Sequence, residues 1–511
     1  MKKPRFDSYL LSFIIIFLIA LFLRVYRIGS KDLWFDEILS LGRALGEYPR
    51  FDPQPPLYFL LLRFWAVLLG KSELSLRLLS AIPALLSVIM AYKIGSLLLD
   101  RKAGLLGALI LSFSPIHIWY SQEVRAFSLF TFLTLSLVYF FCLALKTQRK
   151  YYWVAACLTI VISLYVSYWT LLLVAALSPV FILRGYRRFF KIWLLCVFAG
   201  LACFLPWLET FFMHFSFIAD DFWVTKPAFR RLLVSIENFN LGYTAVPIMY
   251  IFSWVSFGTL FASGIIGLIK EKKKDVLLIL GAVFILPILL TFLISLKFPV
   301  YLDRHLIAFS PFYYLIVSYG LKNLKPYVRL ILSSTIIFLS AIALYFYYIG
   351  YIYPYLTHHL GAYDKKPFRP AAGFVLDRKE DQDIIAVTND GLIAPFAYYL
   401  RLNPLADGTK LREKVYHLIW REALDNYWVK MYDYWSSSDN SSALCKVIYI
   451  YDNSSITIIH KRIWLVSGSW ARDYALDENS AVIRDWMMRR YRCKSERWID
   501  GILIGLYEQN K

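Results

Sequence analysis

Apolar residues gather along this 511-residue chain in long runs, separated for the most part by short basic loops. A helix of about 20 apolar residues crosses the roughly 30 Å hydrocarbon core of a bilayer. Runs of that kind fall near residues 8–27, 74–99, 103–119, 126–145, 152–167, 169–184, 191–212, 248–269, 276–296, 305–321 and 329–350. They predict a polytopic α-helical membrane protein with about 11 transmembrane helices. After residue 353 the pattern changes. Short β-rich runs at 383–389 (DIIAVTN), 446–451 (KVIYIY), 462–468 (RIWLVSG) and 501–507 (GILIGLY) appear, with helical patterns at 391–402 and 478–491. That alternation predicts a soluble α/β layer. The expected division is a transmembrane domain, 1–353, and a soluble α/β domain, 354–511.

Composition agrees with the membrane class, since 59% of the residues are hydrophobic where globular domains hold about 45–50%. The net charge of +20 is topological and does not mark a nucleic-acid partner. The segment after residue 353 is nearly balanced, with 22 Lys/Arg against 20 Asp/Glu. The excess lies in the loops holding Arg101/Lys102, Lys146/Arg149/Lys150, Arg184/Arg187/Arg188/Lys191, Lys270 to Lys274 and Lys322/Lys325/Arg329. Lys and Arg in short loops stay on the cytoplasmic side. With Lys2, Lys3 and Arg5 they predict a cytoplasmic amino terminus in a multi-pass protein of the cytoplasmic membrane. An odd number of spans then puts residues 354–511 outside the cytoplasm. The first run reads as a signal anchor, without a small-residue cleavage site. Cys445 and Cys493 are the two cysteines in the exported part, where a disulfide between them is one expectation and two free thiols the other.

Candidate chemistry collects at the outer ends of the runs. The first outer loop, residues 28–73, carries Asp36 and Glu37 in the amphipathic stretch LWFDEILSLGRAL. This stretch is expected to be a helix lying in the interface with its acids toward water. Adjacent carboxylates there could act as a general base, bind a metal or hold a loop. Downstream, Pro53, Gln54, Pro55 and Pro56 make an extended turn before an apolar helix that starts at Leu57. A second long loop spans roughly residues 213–247. Glu123 and Arg125 stand at the junction of two runs, where ionisable groups are costly and are paired or functional. Arg125 suits a lipid phosphate, and an ion pair with Glu123, Asp36 or Glu37 is the plainer alternative. Arg304 and His305 meet the outer end of the tenth run, at headgroup height, with snorkelling as the plainer alternative. Arg77, near the outer start of the second run, is ambiguous in the same way. The seven histidines show no HxxxH or HxxEH spacing.

Five segments, taken in order, resemble glycosyltransferase family 39 in the broad sense. They are LWFDE (33–37), PQPPLYFLLLRFW (53–65), GKSELSLRLLSAIPALLSV (70–88), YSQEVRAFSL (120–129) and DRHLIAFSPFYYL (303–315). The family includes protein O-mannosyltransferases and the lipid A aminoarabinose transferase, so the resemblance implies a GT-C membrane fold. It implies an acidic catalytic base in the first outer loop, which maps to Asp36 with Glu37 as its companion. The family's HPPL turn reads QPPL here, and Gln54 weakens the simplest ligand set for a metal. A divalent cation is compatible with the sequence but not required by it.

The expected activity is that of an inverting glycosyltransferase, hexosyl or pentosyl. It would move a monosaccharide from a polyprenyl-phosphate carrier to a protein, lipid or glycan acceptor outside the cytoplasm. Arg125 and Arg304, with Arg77, would hold the donor phosphate. Gln54, Glu123 and His305 would line the substrate region. A transporter or flippase of lipid-linked glycans is the alternative, although no inverted repeat or mid-span charge speaks for it.

Overall fold

The computed structural model describes residues 8–46, 54–221, 224–353, 365–402, 415–420, 446–450, 461–468 and 476–509. Cys445 lies outside these residues. The chain forms two compact units, one of Met1–Ile28 with Pro53–Ala362, the other of Gly29–Asp52 with Tyr363–Lys511.

Helix α1 (Ser8–Val25) opens the first unit, and α2 (Phe35–Leu45) belongs to the second. The first unit continues with α3 (Leu57–Leu69), α4 (Glu73–Leu98), α5 (Arg101–Phe113), α6 (Pro115–Ser121), α7 (Phe127–Thr147), α8 (Lys150–Leu164) and α9 (Thr170–Leu177). It ends with α10 (Phe190–Asp221), α11 (Arg230–Leu241), α12 (Pro247–Lys270), α13 (Lys274–Ser295), α14 (Asp303–Leu306), α15 (Ser310–Gly320) and α16 (Pro326–Ile349). Among the described residues seven helices are long and apolar enough to span a bilayer, or eight when α5 and α6 count as one bent span. Shorter apolar helices accompany them at Leu57–Leu69, Lys150–Leu164 and Thr170–Ile182. The protein is therefore a multi-pass membrane protein, and four of the eleven runs differ from simple spans: those at 152–167 and 169–184 form only the shorter helices, and those at 103–119 and 305–321 are broken.

The run at 103–119 breaks at Pro115, which lacks an N–H and takes the first position of α6; the chain bends there by 61°. The buried Arg24 guanidinium donates to the carbonyls of Leu111 (3.0 Å) and Ser112 (3.2 Å) that end α5, so backbone groups released by the break stay satisfied. The run at 305–321 divides into α14, a 3₁₀ turn at Ile307–Phe309 and α15. The second long loop contains α11 and the end of α10.

Helix α15 is buried along its whole length. It packs on α12 where Gly264 and Gly320 meet, since a Cβ on either would collide with the backbone carbonyl of Ile316 or Leu260. Small residues at such crossings let backbones approach in the absence of water-driven packing. Polar atoms on α15 find partners: Tyr314 donates to Phe239 O (2.5 Å), Tyr313 to Asn240 Oδ1 (3.1 Å), and Ser310 Oγ meets His117 Nε2 (2.8 Å). By contrast α1 exposes Leu10, Leu11, Ile14, Ile15, Leu18 and Phe22, the apolar surface a lipid-facing helix presents.

The second unit is built on a six-stranded sheet of order β3-β2-β1-β4-β6-β5. Strands β1 (Ile384–Val387), β2 (Val415–Trp420), β3 (Lys446–Ile450) and β4 (Arg462–Gly468) run parallel, while β5 (Tyr491–Ile499) and β6 (Ile502–Gln509) are antiparallel additions. Alternate residues of β1 and β4 face opposite layers. Ile385, Val387, Trp464 and Val466 pack with α17 (Phe368–Leu376) and α18 (Asp390–Leu402). Ile384, Ala386, Ile463 and Leu465 pack with α19 (Glu478–Arg490).

The four strands and two helices read from the sequence are present, and β2, β5 and α17 join them. Strand β5 is a charged edge, of the kind that discourages strand addition, and Cys493 is exposed on it. The β5–β6 turn is Asp500-Gly501, both at positive φ (41° and 84°), as a two-residue hairpin requires. Arg484 grips Glu496 with two N–H donors (2.9 and 2.8 Å) and holds that carboxyl below the usual carboxylate range.

Candidate active site

In the second unit, Asp36 and Glu37 lie in the first turn of α2, where carboxylates complement the helix dipole. Gly46, at φ 75°, ends the helix and its N–H returns to Arg43 O and Gly42 O. The apolar face of Phe35, Ile38, Leu41 and Ala44 is buried, and α2 packs against α18. The expectation that both acids turn to water fails for Glu37. It is fully buried, its Oε2 accepts the Trp34 N–H (3.3 Å), and it pairs with Lys365 Nζ (3.3 Å). A carboxylate leaves water only when a cation and hydrogen bonds replace the lost solvation, and Lys365 with Trp34 does this. Asp36 is half-buried. The two acids therefore separate, Glu37 into a structural pair and Asp36 as the one with access to solvent.

In the first unit, residues Gln122 to Ala126 join α6 to α7 and are all buried. Gln122 Nε2 donates to Arg24 O and Tyr26 O (3.0 Å each), and its Oε1 accepts from Tyr347 (2.9 Å). Glu123 Oε1 accepts the Trp119 indole N–H (2.7 Å). Ser80 donates to Arg125 O (3.1 Å), which ties the segment to α4. Held in this way, the Arg125 guanidinium lies 5.6 Å from the centre of the Phe127 ring, and that of Arg304 lies 6.0 Å from the same ring. Both arginines are more than nine-tenths buried, so Arg304 does not snorkel. The His305 ring is 6.2 Å from Phe127 and 5.2 Å from Trp169.

Two guanidinium groups around one aromatic ring gain cation–π attraction but repel each other, an arrangement that favours an anion between or beside them. Arg77 is buried and donates to Ile28 O (2.8 Å), which gives it a structural partner. Gln54 is half-buried at the turn before α3, and Leu57 N donates to Tyr165 O (2.9 Å).

Asp303 is not among the expected site residues, yet three donors close on it. It is fully buried and accepts from Ser235 Oγ (2.5 Å), Asn238 Nδ2 (2.6 Å) and Arg231 Nη2 (3.2 Å). Ser235 also meets the Tyr301 hydroxyl (2.9 Å). The three donors stand at i, i+4 and i+7 on α11, a polar stripe on one helix face, and that spacing was the available signal. Asp303 immediately precedes Arg304, so this network fixes the backbone that carries the second guanidinium. Among the described residues no three His, Cys, Asp or Glu side chains converge to hold a metal ion.

Residues 53–209 match the family model described as dolichyl-phosphate-mannose-protein mannosyltransferase. The chain superposes on ArnT from Cupriavidus metallidurans bound to undecaprenyl phosphate with a TM-score of 0.60, at 11% identity and over 98% of each chain. The chain has the fold of the GT-C glycosyltransferases. The apo form of the same ArnT gives a TM-score of 0.57. The archaeal oligosaccharyltransferase AglB from Archaeoglobus fulgidus gives 0.53, at 11% identity, over 99% of this chain and 74% of that one. No curated protein sequence matches the chain. The mannosyltransferase match covers α3 to α9 and part of α10, including Arg77, Glu123 and Arg125.

Proposed function

We propose that this GT-C protein is an inverting glycosyltransferase that moves a monosaccharide from a polyprenyl-phosphate carrier to an acceptor outside the cytoplasm. The observation that carries the reading is the buried pair Arg125 and Arg304 around Phe127, two guanidinium groups whose charge suits a phosphate. The related ArnT fold is known bound to undecaprenyl phosphate, and AglB in complex with dolichol-phosphate, which supports the same class of donor here. The basic loops argue for a cytoplasmic amino terminus. Residues 29–52 and 363–511 form one compact unit, which supports assigning the first loop and the C-terminal domain to the same side of the membrane, the exported one. Nucleotide sugars are made and kept in the cytoplasm, and a donor used outside has to be carried across on a lipid.

In the proposed reaction an acceptor hydroxyl or amine attacks the anomeric carbon as the bond from that carbon to the phosphate oxygen breaks. Asp36 accepts the proton of the attacking group, and the sugar inverts. The polyprenyl phosphate departs with increased negative charge, which Arg125 and Arg304 stabilise electrostatically. Glu123, Gln54 and His305 remain assigned to the surroundings of the donor, and Arg77, expected as a third phosphate ligand, is assigned there too through its hold on the Ile28 carbonyl. Asp36→Asn is expected to abolish sugar transfer in membranes while the protein inserts and accumulates as the wild type does. Wild-type transfer by that variant would remove Asp36 as the base.

A further inference from the structure

The C-terminal domain completes the helix that carries Asp36. Helix α2 has 11 residues, fewer than the ~12–15 at which an isolated helix becomes even marginal in water. Its entry is held by residues more than 300 positions later. Asp32 Oδ2 accepts the backbone N–H of Arg369 (2.7 Å), and Asp32 Oδ1 lies 3.7 Å from Arg369 Nε. The backbone N–H of Leu33 donates to the Tyr399 hydroxyl (2.7 Å). Glu37 pairs with Lys365, whose side chain is 6% exposed. The Arg369 guanidinium lies 5.2 Å from the centre of the Tyr399 ring, so these contacts form one connected group. Positions 32, 33 and 37 bracket residue 36 on both sides.

We infer that Lys365, Arg369 and Tyr399 are positioning residues for Asp36, and that the C-terminal domain is part of the catalytic apparatus. The inference rests on the proposed role of Asp36. The backbone N–H groups at the start of a helix need partners outside the helix. Here the Tyr399 oxygen meets Leu33, and Lys365 pairs with the Glu37 carboxylate that takes the Trp34 N–H. Losing these partners would let the first turn fray and move the Asp36 carboxylate, and a displacement of about 1 Å costs on the order of 100-fold in rate.

The test uses the full-length protein in liposomes, with Tyr399→Phe, Lys365→Met, Lys365→Arg and Asp36→Asn. Labelled polyprenyl-phosphate sugar is the donor, and hydrogen exchange is read on the peptide covering residues 33–45. Tyr399→Phe removes a single oxygen and is the variant least able to prevent folding. We expect Tyr399→Phe and Lys365→Met to lower kcat at least tenfold per folded molecule, with donor KM within twofold. Exchange in 33–45 should speed up in both, and Lys365→Arg should recover most of the rate. If Asp36→Asn is inactive while Tyr399→Phe and Lys365→Met keep the wild-type kcat per folded molecule, the positioning role is overturned and the base stands. If Asp36→Asn transfers sugar normally, the base assignment itself is lost, and the positioning role with it.

Discussion

The Asp303 network makes a quantitative prediction, because both its burial and its partners are defined. Asp303 is fully buried and Arg231 is 11% exposed, with 3.2 Å between them, and two further donors from α11 close on the carboxylate. In Asp303→Asn the side chain keeps its shape, but one acceptor oxygen becomes an NH₂ that confronts the Asn238 and Arg231 donors. Breaking a buried ion pair from one side costs about 3–5 kcal/mol, and the residual exposure of Arg231 places this case near the lower end, about 3 kcal/mol. Arg231→Met leaves Asp303 its Ser235 and Asn238 donors, so the loss should be about 1–2 kcal/mol, the scale of one charge-assisted bond. Once the Asp303 carboxylate is gone, removing Arg231 as well should cost little. The double variant should therefore fall no further than Asp303→Asn alone, a coupling of roughly 1–2 kcal/mol. The assay is thermal unfolding of the detergent-solubilised protein, followed by tryptophan fluorescence at one fixed scan rate, since such unfolding is commonly irreversible. At about 2 °C per kcal/mol, Asp303→Asn should melt ~6 °C lower and Arg231→Met ~2–4 °C lower, with the double variant near ~6 °C. A double variant lower by the full sum would refute the reasoning, because it would show that the two side chains act independently.

Two other outcomes follow from the same structure. Arg125→Ala and Arg304→Ala should each lower kcat/KM for the polyprenyl-phosphate donor by about 10- to 100-fold, the equivalent of ~1.5–3 kcal/mol for a hydrogen bond to a charged group; unchanged kinetics in both would remove the phosphate role. At the loop between α12 and α13, Glu271 is hydrogen-bonded by Lys322 (2.8 Å), which lowers its pKa to about 2 from an ordinary 4.5. A depressed carboxylate contributes stability above its unfolded pKa and loses it as pH falls through the folded one, so the wild type should lose melting temperature between pH 4.5 and about 2. Glu271→Gln should lose less over that window, by a small margin because both side chains are a third to a half exposed.

Periodicity exposed much of this architecture before the structure did. Seven apolar runs coincide with helices long enough to span, and β1, β3, β4, β6, α18 and α19 stand where hydrophobic patterning placed them. Edge strand β5 escaped because its residues are charged and exposed, without the alternation of a half-buried strand. The break at Pro115 escaped because apolar residues continue through it, while Arg24, some 90 positions earlier, supplies donors to the carbonyls that end α5. The candidate residues were recognisable from ionisable groups at the ends of apolar runs and from the ordered motifs. Their surroundings were not, because these depend on long-range partners. Glu37 is buried in a pair with Lys365, and Asp303 is held by a polar stripe on α11 inside what looked like a loop.

The central claim is chemical transfer of a sugar from a lipid phosphate, and one measurement addresses it directly. Purified full-length protein in liposomes would be given a panel of labelled monosaccharides on polyprenyl phosphate, with membrane lipid and protein fractions as acceptors. Sugar appearing on an acceptor with inverted anomeric configuration, and absent with Asp36→Asn, is the result this account predicts. Labelled lipid that crosses between leaflets with its sugar still attached, and no transfer to any acceptor, would contradict it.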